Sequence, residues 1–498
     1  IELNAIALVP TESKLVLNAQ GRVPITKTKT CDHEMRVCSY VDNLDSMLTN
    51  IDVEDVYESI DPRNKCNQIE DSLEEDQEVL PAEESSPDLT YQDCIFDMCK
   101  AESKKKVLKY FKTLESCFAK NNLDIGTTAW TADLEFDPRK VRKDKQRVVT
   151  GEKAVQLEKL VQDLAKAGVV EPYDNNVPLA MSNPVLVQKN ASRTKADKIL
   201  YKTQPIREPP KYRLTMDCRM INRALINVPQ TTVPPIEEVI CKTAHKVVSQ
   251  MDLCQAFYSI PITERSKPFL AFWCNSKVFT FRKMTQGLKS SPALWCILIN
   301  DLLSDKVLQE VIETAPAELK KILSKHTSFW EFVSAYIDDI FIFSDNEEEH
   351  VAHLYALVKA MLMGGLKISP NKCFLFAKEL RILGILVDPK NAELGIDKAK
   401  SQGILDWPKP SSIFELNSRI CALRYNARFI PYFNDAIEPL VRRIRANKWK
   451  WGQEEEDAWK KIKCMVLADI RTSIPLPEDR LVFLLDASKI TISSCLFV

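Results

Sequence analysis

The chain has 498 residues, of which 45% are hydrophobic, 68 are Lys or Arg, 69 are Asp or Glu and 11 are Gly. This globular composition excludes collagen-like and coiled-coil proteins, and no apolar run approaches the roughly 20 residues that a membrane span needs. A length near 500 residues predicts about three domains.

The first hundred residues differ in charge from the rest of the chain. They hold 8 Lys and Arg against 22 Asp and Glu, whereas residues 101–498 hold 60 against 47. Residues 1–30 alternate apolar and polar groups and predict short strands. Residues 31–100 are typical of an acidic, partly disordered linker, because few bulky apolar side chains interrupt the charges. The positive surplus on the remainder would suit a polyanionic partner.

Beyond residue 100, helical and extended patterns alternate. Apolar residues at helical spacing predict helices over 104–120, 151–167, 347–363 and 413–429. Short apolar runs predict strands over 184–187, 213–218, 246–253, 278–281, 330–342 and 480–485. Strands mixed with helices in this way predict an α+β or α/β architecture.

Three acids stand at the ends of predicted core strands. Asp338 and Asp339 lie between two apolar runs, as at a hairpin turn, and Asp252 ends the strand over 246–253. An Asp-Asp pair alone is ordinary turn chemistry. These flanks are too apolar for a surface hairpin, however, and adjacent carboxylates near a buried sheet repel each other unless a cation lies between them. Three such carboxylates can hold two divalent cations about 4 Å apart, the arrangement that serves phosphoryl transfer.

The order of the motifs resembles that of retroelement reverse transcriptases, and most of all that of gypsy-type LTR retrotransposon Pol polyproteins. The strings that carry the resemblance are Arg213 to Asn222, Asp252 with Phe257, Gln286-Gly287, Tyr336-Ile337-Asp338-Asp339, Gly365-Leu366 to Lys372-Cys373, Leu383-Gly384 and Leu485-Asp486. The resemblance covers roughly residues 105–498. It implies an α+β fold, a right-hand polymerase of fingers, palm and thumb with a connection segment and the truncated start of a ribonuclease H-like domain.

The resemblance also implies a division of the chain. The expected parts are a short β segment of the kind that follows a protease (1–30), the acidic linker (31–100), fingers and palm (101–390), thumb and connection (391–475), and the start of a ribonuclease H-like domain (476–498). Ribonuclease H chemistry needs several more acids than Asp486. We therefore do not expect this chain to cleave RNA.

Site residues follow from the resemblance position by position. Asp252, Asp338 and Asp339 would be the catalytic metal ligands, for two Mg²⁺ ions with Mn²⁺ as an alternative. The other expected roles are triphosphate binding by Arg213 and Lys189, contact with the sugar by Phe257, the nucleotide and template site at Gln286 and Gly287, the leaving pyrophosphate at Lys372, the primer grip at Leu383 and Gly384, and an incomplete ribonuclease H site at Asp486. His350 and His353 are spaced like a metal pair, but we expect them to be structural.

The expected activity is RNA-directed DNA synthesis from deoxynucleoside triphosphates on an RNA or DNA template-primer, without a membrane partner. The 15 single cysteines predict reduced thiols and an intracellular location, in a cytoplasmic particle or the nucleus. A viral RNA-dependent RNA polymerase shares the palm, but Phe257 would exclude a 2′ hydroxyl. A catalytically decayed or domesticated element that binds nucleic acid or protein is the alternative, and the three intact acids count against it. The oligomeric state is not predicted.

Overall fold

The computed structural model describes residues 37–38, 88–173, 177–188, 212–231, 234–430, 432–466, 471–476, 479, 482–487 and 492–497. The strands predicted within residues 1–30 lie outside this set. Among the described residues, no helix is both long and apolar enough to cross a bilayer.

Short strands and longer helices alternate along the described chain. The strands are β1 (Val37–Cys38), β2 (Ile95–Phe96), β3 (Glu135–Phe136), β4 (Val170–Pro172), β5 (Met181–Ser182), β6 (Pro184–Gln188), β7 (Tyr212–Met216), β8 (Leu225–Ile226), β9 (Val247–Asp252), β10 (Ala271–Cys274), β11 (Lys277–Phe281), β12 (Val333–Tyr336), β13 (Asp339–Ser344), β14 (Phe374–Leu375), β15 (Leu380–Ile382), β16 (Ile385–Asp388), β17 (Glu393–Ile396), β18 (Thr472–Ser473), β19 (Val482–Ala487) and β20 (Ile492–Phe497). The α-helices are α1 (Ala101–Thr113), α2 (Glu152–Lys166), α3 (Arg219–Ala224), α4 (Ile236–Cys241), α5 (Ser291–Leu302), α6 (Asp305–Thr314), α7 (Ala317–Leu323), α8 (Glu347–Met363), α9 (Lys398–Leu405), α10 (Ile413–Arg424), α11 (Phe433–Ala446) and α12 (Gln453–Val466).

A five-stranded sheet in the order β12-β13-β9-β14-β2 forms the centre of the molecule. Strands β12, β13, β9 and β14 pair antiparallel, and β2 joins β14 in parallel. Helix α8 packs on one face of this sheet and is itself covered by α1, α6 and α7. Most of its side chains are therefore buried. This sheet with its helix corresponds to the predicted palm.

The two faces of β9 and β13 belong to two different cores. Met251 and Ile340 lie in the core that includes α8. Val248 and Phe341 lie in a second core, built with the β15–β18 sheet and helices α10 to α12. Successive side chains of a strand point to opposite faces, so a strand buried on both faces is apolar throughout. This explains why the sequence around the paired acids is apolar without alternation.

A second sheet, in the order β4-β11-β10-β5, and the hairpin of β6 and β7 correspond to the predicted fingers. Helix α2 packs against them. It ends as the sequence predicts, because Gly168 has a φ of 69° and Val169 N donates to Leu164 O. Helices commonly end at a glycine in this left-handed conformation.

The sheet in the order β15-β16-β17-β18 packs with α10, α11 and α12 in the second core. The predicted boundary between residues 390 and 391 lies in the turn that joins β16 to β17. These two strands pair along their whole length, with Ile385 opposite Ile396. The sheet is therefore a single unit on both sides of that boundary.

The segment that follows the acidic stretch departs from the linker prediction. Ile95 N donates to Cys373 O at 2.9 Å, β2 completes the central sheet, and Tyr91 is buried. Residues 88–100 are thus part of the fold, and the predicted linker over 31–100 extends too far. Strand β2 was not predicted from the sequence, because it has only two residues and follows an acidic stretch.

Candidate active site

The hairpin of β12 and β13 brings two of the three predicted acids together. Tyr336 pairs with Asp339, which leaves Ile337 and Asp338 as a two-residue turn. Strand β9 lies on the other side of β13, and Asp252 is directly opposite Asp339. Directly opposite residues of an antiparallel pair project from the same face of the sheet. The two carboxylates therefore share one edge of the palm, with Asp338 next to them.

The turn itself has an unusual backbone. Ile337 has a φ of 53°, in the left-handed region that β-branched residues rarely adopt. Its carbonyl oxygen accepts a hydrogen bond of 2.7 Å from Nε1 of Trp295, a fully buried residue of α5. A strained conformation persists only where the surroundings hold it. Here a side chain 42 residues away in the sequence supplies a contact that holds it.

The acids lie close enough to perturb one another. Burial, together with the nearby carboxylates of Asp252 and Asp339, raises the pKa of Asp338 to about 6. Burial also raises the pKa of Asp339, although Gln250 Nε2 donates to Asp339 Oδ1 at 3.0 Å and opposes the rise. Asp338 Oδ1 is buried and has no hydrogen-bond partner among the described residues. A buried acceptor without a donor, among like charges, is a site that a cation would stabilise.

Lys372 is the positive group of this cluster. Its Nζ lies 2.9 Å from Asp252 Oδ2, at the end of the 3₁₀ turn Pro370–Lys372. Within the described residues, no three His, Cys, Asp or Glu side chains already form a group that could hold a metal ion. The amine on Asp252 and the amide on Asp339 occupy oxygens that a metal would use. The chemistry of the set nevertheless fits Mg²⁺ or Mn²⁺, because both prefer carboxylate oxygens.

Phe257 lies in the 3₁₀ turn Ala256–Ser259, which follows Asp252 after the left-handed residue Gln255. Its half-buried ring meets the ring of Trp295 nearly edge-on, with centroids 6.2 Å apart and planes at 83°. The same tryptophan thus contacts the predicted sugar-facing residue and the turn that carries Asp338. The prediction from sequence did not include Trp295, since a lone tryptophan carries no local signal of a role.

Gly287 lines a cavity of about 420 Å³ beside the fingers. The residues around it are Arg147, Val185, Thr215, Met216, Asp217, Cys218, Arg219, Asn222 and Gly287. Gly287 has a φ of 97°, and a Cβ there would lie 3.3 Å from Cys218 Sγ. Asn222 Nδ2 also donates to Gly287 O at 2.9 Å. The backbone at Gly287 therefore lies close to the end of β7 and the start of α3.

Asp217 and Arg219, which both line this cavity, pair with each other. Arg219 Nε donates to Asp217 Oδ1 at 2.9 Å, and Arg147 Nη2 lies 3.1 Å from Asp217 Oδ2. The hydrogen bonds from Arg219 are the largest cause that lowers the pKa of Asp217 to about 2. Arg147 was not identified from the sequence. It stands outside every motif, in a stretch where basic residues are common.

The predicted primer grip is the turn between β15 and β16. Leu383 and Gly384 both have positive φ, 46° and 85°. Tyr425, just after α10, donates its hydroxyl to Leu383 O at 2.8 Å. The β15–β16 turn is thereby tied to the helical region that follows.

Three predicted site residues remain: Arg213, Lys189 and Asp486. Arg213 lies on β7 opposite Val187, with an exposed side chain, and no described contact joins it to the three acids. Lys189 lies outside the described residues. Asp486 is on β19, opposite Ser493 in the hairpin with β20.

His350 and His353 are buried in α8 behind the central sheet. A chain of hydrogen bonds runs from the backbone N–H of Phe376 to Ser249, His350, Ser344, His353, His326 and Glu331. Because Phe376 N donates at one end and the Glu331 carboxylate accepts at the other, every ring in the chain can be neutral, with one donor and one acceptor nitrogen. The pair is therefore satisfied without a metal.

Comparison with known proteins finds similarity to reverse transcriptases, as the sequence motifs predict. Residues 198–387 match the family model described as reverse transcriptase (RNA-dependent DNA polymerase). The enzymatic polyprotein of figwort mosaic virus is 25% identical over 395 residues, which are 77% of this chain and 52% of the relative. The Pol polyprotein from transposon 297 of Drosophila melanogaster is 24% identical over 337 residues, 67% of this chain and 29% of the relative. The chain thus spans about half of the viral polyprotein and less of the transposon polyprotein.

Solved structures share the fold. The foamy viral protease-reverse transcriptase in complex with double-stranded DNA superimposes with a TM-score of 0.61 at 21% identity, over 80% of this chain and 63% of that chain. The same viral protein with an RNA/DNA hybrid gives 0.61 at 20% identity, over 80% and 50%. The predicted α+β polymerase fold is confirmed. The gypsy-type assignment is consistent with these relatives and stays a prediction. Residues 198–387 thus match the reverse transcriptase model, and the chain is similar to viral and transposon polyproteins.

Proposed function

We propose that this chain is an RNA-directed DNA polymerase that extends a primer on an RNA or DNA template. The observation that carries the proposal is the placement of Asp252 opposite Asp339, with Asp338 beside them. Asp338 Oδ1 has no hydrogen-bond partner in the part of the chain that the structure describes. An edge of three carboxylates on a rigid sheet is suited to phosphoryl transfer, which depends on positioning and charge more than on covalent chemistry.

Asp252, Asp338 and Asp339 would hold two divalent cations, Mg²⁺ or Mn²⁺. When bound, such ions acidify the primer 3′ hydroxyl and neutralise the triphosphate and the departing pyrophosphate. Lys372 would exchange its contact with Asp252 for the leaving group. Its flexible stem and single charge are suited to such a move.

Other residues of the chain would orient the substrates. Phe257 would lie against the sugar and leave no room for a 2′ hydroxyl. Gln286 and Gly287 would line the nucleotide and template site, with Arg213 and Lys189 as cations for the triphosphate. The Leu383-Gly384 turn would support the primer end. The partners are then a template-primer and deoxynucleoside triphosphates, as the names of the foamy viral complexes suggest for the nucleic acid.

Primer extension by the purified chain tests the proposal. We expect Mg²⁺- or Mn²⁺-dependent DNA synthesis on an RNA template, and a loss of at least about 1,000-fold in Asp338→Asn. Asp345→Asn is a matched control, because Asp345 directly follows β13, the second strand of the same hairpin, and is exposed. A folded parent that extends no primer, or an Asp338→Asn protein that keeps its activity, would contradict the proposal.

A further inference from the structure

Trp295 joins two parts of the candidate active site that lie far apart in the sequence. Its indole Nε1 donates to Ile337 O at 2.7 Å, and its ring packs edge-on against Phe257 at 6.2 Å. The side chain is fully buried, on the second turn of α5. A buried indole in contact with both groups can transmit the position of one to the other.

The hydrogen bond matters because the turn is strained. Ile337 has a φ of 53°, where a β-branched side chain is disfavoured, and its carbonyl is at the tip of a two-residue hairpin. An indole nitrogen only donates, so this bond has a fixed direction. Without it, the carbonyl loses its partner and the turn loses a restraint next to Asp338.

Packing alone does not brace the turn on this side. A half-open pocket of about 160 Å³ adjoins it, and its lining includes Trp295, Ala335 and Ile337. Close contact normally fixes side chains, and a pocket of this size removes such contacts from its lining. The hydrogen bond from Trp295 is therefore a restraint that close packing does not replace on this side of the turn.

Phe257 depends on the same tryptophan. The half-buried ring follows a left-handed residue, Gln255 with a φ of 49°, in a short 3₁₀ turn. Edge-to-face aromatic pairs have a preferred geometry, so the Trp295 ring limits the orientations open to Phe257. Loss of both the N–H and the ring of Trp295 would therefore alter the position of Phe257 and of the turn together.

We propose that Trp295 is a positioning residue that fixes Phe257 relative to the turn carrying Asp338, so that exclusion of a 2′ hydroxyl and alignment of the catalytic carboxylates are coupled. The inference rests on the proposed polymerase function. The two contacts of the indole have separate consequences, because the N–H acts on the turn and the ring acts on Phe257. They can be removed one at a time.

Two substitutions separate them. Trp295→Phe keeps an aromatic ring and removes the N–H. We expect it to lower kcat by at least about 10-fold, with KM for the deoxynucleotide and the preference over ribonucleotides each within about 3-fold of the parent. Trp295→Leu removes the ring as well, and the preference should then fall by at least about 5-fold. Trp273→Phe is the matched control, because Trp273 Nε1 has no partner among the described residues, and it should leave all three quantities unchanged.

A rescue distinguishes positioning from a general role in stability. Glycine adopts positive φ without strain, so in the Ile337→Gly background the added change Trp295→Phe should cost less than about 3-fold in kcat. An equal loss in both backgrounds would assign Trp295 to folding only and overturn the inference. So would a kcat for Trp295→Phe within 2-fold of the parent.

Hydrogen–deuterium exchange tests the inference without catalysis. The peptide over residues 333–344 should exchange faster in Trp295→Phe than in Trp273→Phe, because the turn has lost its restraint. Equal protection in the two variants would overturn the inference even if the parent proved inactive. Absence of primer extension by the parent would instead contradict the proposed function.

Discussion

At the scale of single residues, Asp252, Asp338 and Asp339 form a cluster of like charges. Asp338 and Asp339 both have raised pKa values, and the positive group that the structure brings to the cluster is Lys372, on Asp252. A salt bridge of this kind stabilises a like-charged cluster in the way that a bound cation does. Lys372 and a bound divalent cation would therefore compete for the same oxygen.

This competition predicts the effect of Lys372→Met. Removal of the amine frees Asp252 and makes the cluster more negative, so Mn²⁺ should bind more tightly in the absence of nucleotide. An exposed charge pair contributes about 1 kcal/mol, which corresponds to roughly a 5-fold change in affinity. Titration followed by electron paramagnetic resonance measures it. Lys367→Met is the control, because Lys367 pairs with Asp124 at 3.4 Å. Unchanged or weaker binding by Lys372→Met would show that the amine does not occupy the cation site.

Phe257 gives a second prediction at this scale. Its ring is held by Trp295, and the Phe257→Val side chain would leave space beside the sugar. We expect ribonucleotide incorporation to rise relative to deoxynucleotide incorporation by about 10-fold or more, a loss of at least about 1.4 kcal/mol of discrimination. The values of kcat/KM for both nucleotide types and the melting temperature decide the question. An unchanged ratio with a lower melting temperature would mean that Phe257 only fills the core.

At the scale of elements, the sequence predicts the parts whose pattern is local. The strand that ends at Asp252, the hairpin around the paired acids and helix α8 all follow from runs of apolar residues. Strand β2 was missed because two residues carry no periodicity and follow an acidic stretch. The bond from Trp295 to Ile337 and the pairing of Lys372 with Asp252 could not be predicted either, since tertiary packing alone brings these residues together.

The histidine chain behind the central sheet gives a prediction about pH. Burial lowers the pKa of His353 to about 3 and that of His350 well below its usual value. In the unfolded chain both side chains would have a pKa of about 6.5. Between pH 6.5 and about 3 the unfolded state therefore binds more protons, and the free energy of unfolding should fall as the pH falls. Each histidine contributes up to about 1.4 kcal/mol per pH unit.

Urea unfolding between pH 7 and pH 5 measures this dependence. His353→Gln cannot take up a proton, so its slope should be smaller by up to about 1.4 kcal/mol per pH unit. His245→Gln is the control, because His245 is exposed and its ring contacts only the carbonyl of Lys390 among the described contacts. If His353→Gln leaves the slope unchanged, His353 is protonated in the folded protein.

At the scale of the whole molecule, charge is divided along the chain. Residues 1–87 hold 7 Lys and Arg against 19 Asp and Glu, and residues 88–498 hold 61 against 50. Because β2 belongs to the central sheet, we place the boundary between the acidic segment and the basic remainder at residue 87 and not at residue 100. An acidic segment tethered to the basic remainder of the chain would compete with a template-primer for the same Lys and Arg side chains.

Removal of residues 1–87 should therefore strengthen template-primer binding. More Lys and Arg side chains become available to phosphates, so the affinity should also fall more steeply with salt, by about 0.9 in the log–log slope for each additional phosphate neutralised on a duplex. Fluorescence anisotropy with a labelled template-primer, at several salt concentrations, measures both effects. A full-length variant in which the eight Asp and Glu residues between 70 and 84 become Asn and Gln keeps the length of the segment and removes its charge. If charge is the cause, this variant should behave like the truncated chain. Weaker binding by the truncated chain at every salt concentration would instead mean that the N-terminal segment contributes to the binding surface.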